Sequence, residues 1–464
     1  MSNAQVENAR TLAALLNIDS DKASRLLDVN FAITINVADP KGAALGDELK
    51  AILSRTITRT EMDASINEPD LEIVIGNAGR KHQSPTLYLG VSQRNIEIGS
   101  SVEPDAIEPS TPGIVLLMAA AYASGMALRS ALDGQLALSG PPASDGLRVS
   151  IGDVLGQDRG WMEKGFVLED TYLAGAGAVG NSFLYALQHF AVSGSLIIID
   201  PDNVSDGNLN RCMFFTTADI GKPKAVRLAK LASPCFNRLK LEPTISTLQQ
   251  YSKNQQTDNW LRRLIVGVDS RRTRRRLQGE IPGEVFDAST TGVVECVLHH
   301  HKQPTDTACL ACIYHEIPDE SARERHIAES LGVSIEDVKQ HYVSADAARG
   351  IRTKYSHLAA DQIEGQAYDS LFKALCSEKA LLGPDNRQVL APFAFVSVLA
   401  GAYLAIDVAR RLTLEDSNTF NYWRFSPWAA PVNGLKQIRP RHPQCEFCGQ
   451  AALLMTADKL WRKQ

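Results

Sequence analysis

The chain has 464 residues, of which 44% are hydrophobic and 22% are charged, and its formal net charge is −5. This length allows two or three sizeable cores in a globular protein. The slight negative charge argues against a protein built to bind nucleic acid or an anionic membrane. The richest apolar run, at 113–128, contains Ser and Gly and falls short of the roughly 20 residues that cross a bilayer. We therefore expect no membrane partner.

The N-terminus lacks a basic segment followed by an apolar one, so no signal peptide is expected. The expected compartment is the cytoplasm. Eight cysteines in such a chain indicate metal binding or catalysis before they indicate disulfides.

The first 140 residues alternate between strand and helix patterns. Strand-like runs at 30–37, 71–76 and 87–91 accompany a helical pattern at 45–55. This alternation predicts a small α/β layer. A stretch rich in Pro, Gly and Ser follows at 139–148 and is typical of a linker.

After the linker, strands and helices alternate again, which predicts an α/β fold with a doubly wound, Rossmann-like parallel sheet. The stretch "YLAGAGAVGNSFLYALQHF" at 172–190 is typical of a strand, a tight glycine turn and a helix. Residues 316–390 are charged and helical in period, and we interpret them as a helical insertion.

A faint internal repeat links the two regions. "AAAYASGMALR" at 119–129 matches "AGAYLAIDVAR" at 400–410 in four positions, and "EIVIGNAGR" at 72–80 resembles "RLIVGVDSR" at 263–271. Chance similarity between Ala-rich helices and buried strands is an equally good explanation. The alternative hypothesis is that residues 1–140 are a degenerate copy of the second domain, without its glycine turn.

The glycine turn itself has the spacing G-x-G-x-x-G, formed by Gly175, Gly177 and Gly180. Such glycines allow a tight turn, a close approach of backbone to phosphate, and packing of helix on strand. The N-terminus of the following helix attracts an anion. Asp200 lies twenty residues after Gly180, where a carboxylate accepts hydrogen bonds from ribose. These features fit NAD and ATP equally well.

The residues that follow favour ATP. A site that cleaves a triphosphate needs cations to neutralise the polyphosphate and a carboxylate to hold Mg²⁺. Asp269 closes a strand pattern, so its carboxylate is expected at the carboxyl edge of the sheet, where ligands bind. The remaining candidates are Asp202, Asn208, Arg211 and Lys224.

At these residues the chain resembles the adenylating domain of the ubiquitin-activating enzyme family, which includes the sulfur-carrier adenylyltransferases of molybdopterin and thiamine synthesis. The resemblance covers about residues 165–315 and resumes at 390–450. It implies that Asp200 holds the ribose and that Asp269 holds Mg²⁺. It also implies that the phosphates of ATP are held by Asn208, Arg211 and Lys224. The structural alternatives are that Arg211 caps a helix and that Lys224 is a surface charge.

Two Cys-x-x-Cys pairs predict a metal site. Cys309 with Cys312, and Cys445 with Cys448, would form a closed tetrahedral Zn²⁺ site with a structural role. Chance cysteines or redox dithiols are the alternatives. The "HHH" run at 299–301 is interpreted as a solvated turn.

A run of arginines, "RRTRRR" at 271–276, is interpreted as the start of a helix and not as a nucleic-acid patch. Arg274 matches by spacing the one arginine that the family pattern keeps there.

The resemblance also implies a catalytic cysteine in the crossover segment or in an inserted domain. Cys376 lies in the helical insertion, and nearby Lys373 or Lys379 would favour its thiolate. The alternative is a cysteine in a helix core. The other cysteines are predicted to be buried: Cys212, which replaces the family's usual Gln, Cys235 and Cys296.

The predicted organisation has four parts. Residues 1–140 form a degenerate, inactive adenylation-like domain, and 141–315 form the active, ATP-binding domain. Residues 316–390 form the insertion with Cys376, and 391–464 complete the adenylation domain. The two related halves would form an internal pseudo-dimer, with Arg10 as the basic residue that reaches ATP from the first half; a homodimer is the alternative.

The expected function is activation of a ubiquitin-like protein. ATP–Mg²⁺ would adenylate the C-terminus of this partner, which would then pass to Cys376 as a thioester and on to a separate conjugating enzyme. The alternatives are a sulfur-carrier adenylyltransferase without a thioester step, an NAD-dependent oxidoreductase, and a non-catalytic scaffold.

Overall fold

The structure is a computed structural model. It describes residues 3–62, 67–132, 146–315, 318–340, 343–375 apart from 357, 360–362 and 367, 391–414 and 419–462.

The N-terminal half, which we define as residues 3–150, is built on one six-stranded sheet. Its elements in chain order are α1 (Asn3–Leu16), α2 (Ser20–Leu26), β1 (Asn30–Thr34), α3 (Pro40–Leu53), β2 (Arg59–Met62), β3 (Leu71–Ile75), β4 (Thr86–Val91), β5 (Asn95–Gly99), α4 (Gly113–Ala131) and β6 (Leu147–Ser150). The strands lie in the order β2-β1-β3-β4-β5-β6. The first four are parallel to one another, and β5 and β6 continue the sheet antiparallel.

The second domain, residues 151–462, is built on an eight-stranded sheet. Its elements up to the insertion are α5 (Ile151–Leu155), β7 (Phe166–Ala174), α6 (Ala178–Leu187), β8 (Val192–Ile199), α7 (Lys224–Ala232), β9 (Leu239–Thr244), α8 (Leu248–Ser252), β10 (Arg263–Val266), α9 (Arg271–Gly279), β11 (Glu284–Thr291), β12 (Glu295–Lys302) and α10 (Leu310–Ile313).

The described part of the insertion contains four helices, after which the chain returns to the second sheet. These elements are α11 (Pro318–Leu331), α12 (Ile335–Lys339), α13 (Ala345–Lys354), α14 (Tyr368–Leu375), α15 (Ala394–Thr413), β13 (Tyr422–Phe425), β14 (Lys436–Gln437) and α16 (Ala451–Trp461). The sheet order is β14-β13-β12-β11-β10-β7-β8-β9. The helices at 318–375 bury a small apolar core of their own, as expected for a helical insertion.

The two sheets share one topology. The order β2-β1-β3-β4-β5-β6 in the first corresponds to β8-β7-β10-β11-β12-β13 in the second, with the same parallel and antiparallel pairs. Helix α3 then corresponds to α6, and α4 corresponds to α15. The sequence repeat falls on these equivalent elements, since 72–80 contains most of β3 and 263–271 contains β10. The prediction of an α/β fold with a degenerate N-terminal half is confirmed.

The halves meet through α4 and α15, which belong to one continuous apolar core. The hydroxyl groups of Tyr122 and Tyr403, which the repeat equates, lie 2.9 Å apart in a buried hydrogen bond. Equivalent residues that contact each other mark the axis of a two-fold arrangement. Helix α15 also crosses α6 at backbone contact, because a Cβ at Gly401 would lie 2.4 Å from the carbonyl carbon of Ser182.

Helix α4 is long and apolar enough to cross a membrane by length and composition alone, contrary to the expectation from sequence that this run is too short. In the structure 83% of its most apolar window is buried inside the protein. Core helices of soluble proteins have the same composition, so the feature is weak evidence for a membrane span.

The boundary predicted at residue 140 falls in 133–145, outside the described residues. Strand β6, after it, pairs with β5 of the first sheet. The four predicted domain ranges remain predictions.

Candidate active site

The predicted glycine turn connects β7 to α6 and leaves the N-terminus of α6 open. Gly175 has φ +98, and a Cβ there would lie 2.8 Å from the carbonyl carbon of Gly267. A Cβ at Gly180 would lie 2.0 Å from the carbonyl oxygen of Gly175. Gly177 caps α6 without any side-chain hydrogen bond, and a Cβ there would meet no atom within 4 Å. The turn is therefore locked by backbone contacts while its outer side has room for an anion.

A ladder of two carboxylates and one cation stands beside this turn. Asp200, directly after β8, is 6% exposed, and its carboxylate accepts hydrogen bonds from the backbone N–H groups of Ala176, at 2.7 Å, and Asp202, at 2.8 Å. The ammonium group of Lys224, at the start of α7, lies 3.0 Å from the carboxylate of Asp202. Lys224 is only 13% exposed, so the surface-charge alternative does not describe it.

Charges and burial compete in this ladder. Burial raises the pKa of Asp200 to about 6, with a further contribution from Asp202, although Lys224 acts in the opposite direction. Burial alone would lower the pKa of Lys224, but Asp202 and Asp200 outweigh it and raise the pKa of the ammonium. Lys224 therefore stays positively charged at neutral pH.

Asn208 and Arg211 lie in the loop of residues 206–215, which follows Asp202. Asn208 closes a short 3-10 turn, where its side-chain oxygen accepts a hydrogen bond from the backbone of Ser205 at 3.0 Å. The guanidinium of Arg211 donates to the carbonyl of Gly207 and to the side-chain oxygen of Asn210, both at 2.7 Å. Arg211 therefore stabilises its own loop, where it satisfies a carbonyl of the short 3-10 turn.

Asp269 is exposed and lies at the carboxyl end of the sheet, between β10 and α9. Strand β10 ends at Val266, three residues earlier than the pattern predicts. Helix α9 begins at Arg271, as predicted for the arginine run. Arg274 is 2% exposed and contacts the carboxylate of Asp287 and the carbonyls of Val268 and Ala288, so it stabilises this corner of the sheet.

The other arginines of α9 join three parts of the molecule. Arg272 donates to Glu324 and to the carbonyl of Val338, both at 3.1 Å, in the helical insertion. Arg275 donates to the carbonyl of Tyr314 at 3.0 Å and lies 3.4 Å from Glu446. The arginine run is therefore a structural junction.

The four predicted metal ligands lie together, and their sulfur atoms are all within 4.8 Å of one another. Cys309 lies 3.6 Å from Cys312, 3.8 Å from Cys445 and 3.3 Å from Cys448, measured between Sγ atoms. A tetrahedral Zn²⁺ with Zn–S bonds of about 2.3 Å requires Sγ separations of roughly 3.8 Å. The four-cysteine cluster therefore fits a metal ion of this type.

Two interpretations of the sequence are wrong. The "HHH" run is not a solvated turn, because all three histidines lie in β12 and are at most 6% exposed. Burial lowers the pKa of His299 to about 3, so this imidazole is neutral. Cys235 is exposed and follows α7, so it is not part of the core.

The remaining cysteines agree with prediction or lie outside the described residues. Cys212 and Cys296 are fully buried, and burial raises the pKa of both thiols. Neither therefore has the properties of a thiolate nucleophile. Cys376 and Lys379 lie outside the described residues, as does the side chain of Lys373 in α14.

The N-terminal half contributes residues that sequence reasoning missed. Helix α1 lies against the 206–215 loop, since a Cβ at Gly207 would lie 3.4 Å from Cγ of Glu7. Arg10 is 45% exposed and forms an ion pair of 2.8 Å with Glu7. Asn8, in α1, and Arg55, in the turn after α3, form hydrogen bonds directly to the loop. Neither could be identified from the sequence, because an isolated polar residue forms no motif.

Comparison with models of known protein families identifies the family of this chain. The model described as the ThiF family matches residues 169–447, which is more than half of the chain. The chain belongs to the ThiF family. A second model, described as the E1 N-terminal domain, matches residues 1–140. The ThiF match includes the glycine turn, the carboxylate ladder and three of the four metal-site cysteines, and it ends one residue before Cys448.

Curated relatives of this ThiF-family chain cover only parts of it. It is 28% identical over 264 residues to "Uncharacterized protein y4jF" of Sinorhizobium fredii, which is 52% of this chain and 49% of that protein. It is 28% identical over 155 residues to the NEDD8-activating enzyme E1 catalytic subunit of Saccharomyces cerevisiae, which is 32% of this chain and 51% of the relative. Human ubiquitin-like modifier-activating enzyme 7 is 32% identical over 110 residues, 22% of this chain and 11% of that enzyme. The chain thus matches about half of the first and second relatives and a smaller part of the third.

Among solved structures, those of E. coli MccB are similar in part. The structure of MccB with ATP shares 16% sequence identity and has a TM-score of 0.37, with 62% of this chain and 68% of MccB covered. The structure of MccB with MccA-N7isoASN has 16% identity and a TM-score of 0.36 at the same coverage.

Proposed function

We propose that this protein uses ATP to adenylate the C-terminal carboxylate of a ubiquitin-like protein. The observation that carries the proposal is the uncapped N-terminus of α6 beside the ladder of Asp200, Asp202 and Lys224, with Arg211 on the adjoining loop. The names of two relatives, which are activating enzymes for NEDD8 and for a ubiquitin-like modifier, support this class of substrate.

In the proposed reaction, a carboxylate oxygen of the partner attacks the α-phosphorus of ATP. A new acyl–phosphate bond forms, the bond from the α-phosphorus to the bridging oxygen breaks, and pyrophosphate leaves with that electron pair. No general base is required, because a carboxylate is already ionised at neutral pH. Catalysis is then positioning and charge stabilisation.

Each residue has an assigned role in this proposal. The open turn at Gly177 and the N-terminus of α6 receive the phosphates, and Asp200 orients the ribose. Lys224 and Arg211 stabilise the negative charge on the departing pyrophosphate. Mg²⁺ enters with ATP as part of the substrate, and Asp269 is the exposed carboxylate that we assign to it. Arg10 is the candidate to reach the nucleotide from the N-terminal half.

We propose a second step at Cys376, in which its thiolate attacks the acyl carbon and AMP leaves, so that a thioester forms. A separate conjugating enzyme would then accept the acyl group. This assignment is supported by the high pKa of the buried thiols of Cys212 and Cys296, which makes them unsuitable. A sulfur-carrier adenylyltransferase would stop at the acyl-adenylate. The cytoplasmic location also stays a prediction.

The NAD-dependent alternative is disfavoured by the charged residues after Asp200. Lys224 is held beside Asp202, and Arg211 is held in the 206–215 loop, and a redox dinucleotide site has no use for these cations. We also propose that Zn²⁺ fills the four-cysteine cluster and has a structural role, because four thiolates leave no open position for water.

The decisive experiment is ATP–pyrophosphate exchange with a panel of purified ubiquitin-like proteins that have free C-termini. The wild-type chain should catalyse exchange with at least one of them, and Asp269→Ala should lower the rate by about 10²-fold or more, as expected when a group that stabilises charge is removed. Asp258→Ala, at an exposed aspartate in the loop before β10, is the matched control and should leave the rate unchanged.

The same reactions test the second step. Cys376→Ala should retain exchange and lose a thiol-sensitive protein adduct, while Cys235→Ser should retain both. Exchange at the wild-type rate in Asp269→Ala would contradict the assigned site, and an unchanged adduct in Cys376→Ala would contradict the assigned nucleophile.

A further inference from the structure

A buried polar junction joins the N-terminal half to the loop that carries Arg211. The side-chain amide of Asn210 donates to the side-chain oxygen of Asn8 at 2.9 Å. The amide of Asn8 in turn donates to the backbone carbonyl of Arg55 at 2.6 Å. Both asparagines are 0% exposed. Buried amides have few alternative partners, so this arrangement fixes the orientation of each side chain.

Arg55 holds the backbone of the same loop. Its guanidinium donates to the carbonyls of Leu209 at 2.6 Å, of Met213 at 2.7 Å and of Phe215 at 3.4 Å. Burial lowers the pKa of Arg55, but an arginine remains charged at any ordinary pH. The planar guanidinium thus holds carbonyls on both sides of Arg211 in a fixed geometry.

The junction continues to the guanidinium of Arg211. That side chain donates to the side-chain oxygen of Asn210 at 2.7 Å. The side-chain nitrogen of Asn210 donates to Asn8, which orients the amide of Asn210. Arg211 is therefore linked to α1 and to the end of α3 through one continuous series of hydrogen bonds. The series runs between residues more than 150 positions apart in the sequence.

We propose that Asn8 and Arg55 are positioning residues for the nucleotide site, which set the place of Arg211 from the N-terminal half. This inference rests on the proposed binding of ATP at that site. A displacement of about 1 Å in a charge-stabilising group is enough to lower a reaction rate by about 10²-fold. In this proposal the N-terminal half contributes to the nucleotide site of the second domain by positioning Arg211, and it needs no phosphate site of its own to do so.

The first test is a double-mutant cycle on binding of ATP–Mg²⁺ to the full-length chain, measured by calorimetry. Asn8→Ala should weaken binding by about fivefold, since it removes one hydrogen bond that orients Asn210. In an Arg211→Ala background the same change should have no further effect, because Asn8 acts through Arg211. Asn36→Ala is the control: it removes an exposed bond of 3.1 Å from Asn36 to Asn77, within the N-terminal half.

The second test needs no nucleotide. Arg55→Ala should increase amide hydrogen exchange in residues 206–215 and leave α6 unchanged, while Arg55→Lys should show a smaller increase. Arg59→Ala, at an exposed arginine 3.6 Å from Glu61, is the matched control and should leave the loop unchanged.

The outcomes separate the two proposals. The positioning role is overturned if Asn8→Ala lowers the affinity for ATP–Mg²⁺ equally in the wild-type and Arg211→Ala backgrounds. It is also overturned if Arg55→Ala leaves amide hydrogen exchange in residues 206–215 unchanged. A wild-type chain that binds no ATP contradicts the proposed function instead, and hydrogen exchange then still decides whether Arg55 holds the loop.

Discussion

At Asp200, burial opposes the proposed role of the carboxylate in binding ribose. An ionised carboxylate accepts a hydrogen bond from a ribose hydroxyl more strongly than the neutral acid does, while burial favours the neutral acid and raises the pKa of Asp200 to about 6. Lys224 and two backbone N–H groups offset part of that cost. Neutral pH lies only about one unit above this pKa, so the carboxylate of Asp200 is ionised there with little margin.

This balance predicts a pH dependence of ATP binding. A raised pKa means that the ionised form is lost as pH falls through about 6, so affinity should fall by up to about tenfold per pH unit below that value. The same shift has the opposite sign for folding, because the stability associated with the neutral acid is lost as pH rises through about 6. The dissociation constant of ATP–Mg²⁺, measured between pH 5 and pH 8, tests the predicted dependence of binding.

Asp200→Asn supplies the baseline for this measurement, since the terminal phosphate of ATP also titrates in this range. The variant should bind weakly and keep only the pH dependence of the ligand. Parallel profiles for the wild type and Asp200→Asn would show that Asp200 is not the titrating group.

At the scale of elements, the two equivalent helices α3 and α6 differ at their first turn. Asp39 caps α3, and its carboxylate accepts hydrogen bonds from Lys41 at 3.0 Å, Gly42 at 2.9 Å and Ile107 at 3.1 Å. Helix α6 has only Gly177 at that position and no side-chain cap. The N-terminal half therefore fills its own anion position with a carboxylate, which explains why it is degenerate as a phosphate site.

The four-cysteine cluster joins elements from distant parts of the chain, and its metal should stabilise the fold. Cys445→Ser should remove about one equivalent of zinc per chain and lower the midpoint of thermal unfolding, because metal bound only by the folded state adds its binding energy to folding. Metal analysis together with calorimetric scans measures both. Cys235→Ser, at an exposed cysteine outside the cluster, is the control. A folded and active wild-type chain without zinc would contradict the assignment.

At the scale of the whole molecule, the two halves are parts of one folded unit. Their core is continuous through α4 and α15, and the bond between Tyr122 and Tyr403 lies at their contact. Such an arrangement provides within one chain the surface that a dimer of identical chains would otherwise supply.

Removal of residues 1–150 should therefore abolish pyrophosphate exchange, because the remaining chain loses the contacts of Asn8 and Arg55 as well as the partner of α15. The cut is placed after β6, since that strand belongs to the first sheet. Co-expression of residues 1–150 as a separate chain should restore part of the rate. A truncated chain with full activity would overturn the internal pseudo-dimer and would indicate a homodimer.

Local patterns predicted the parts of the site that are formed by neighbouring residues. Gly175, Gly177 and Gly180 follow one strand, and each cysteine pair is local, so spacing alone identified them. The bond between Asn8 and Asn210 joins residues 202 positions apart, and no spacing rule relates them. The histidines of β12 were misinterpreted because polar residues in sequence imply solvent, whereas this strand lies between two neighbours in the sheet.

The contact between α4 and α15 has a consequence for how the protein is made. Tyr403 is synthesised 281 residues after Tyr122. At the usual translation rate of about 5–20 residues per second, the apolar surface of α4 waits roughly 15–60 s for its partner helix. During that interval this long apolar helix has to be shielded by the ribosome, by a chaperone or by temporary contacts within the nascent chain. The contact that unites the two halves in the folded protein thus also leaves α4 open to aggregation while the chain is being synthesised.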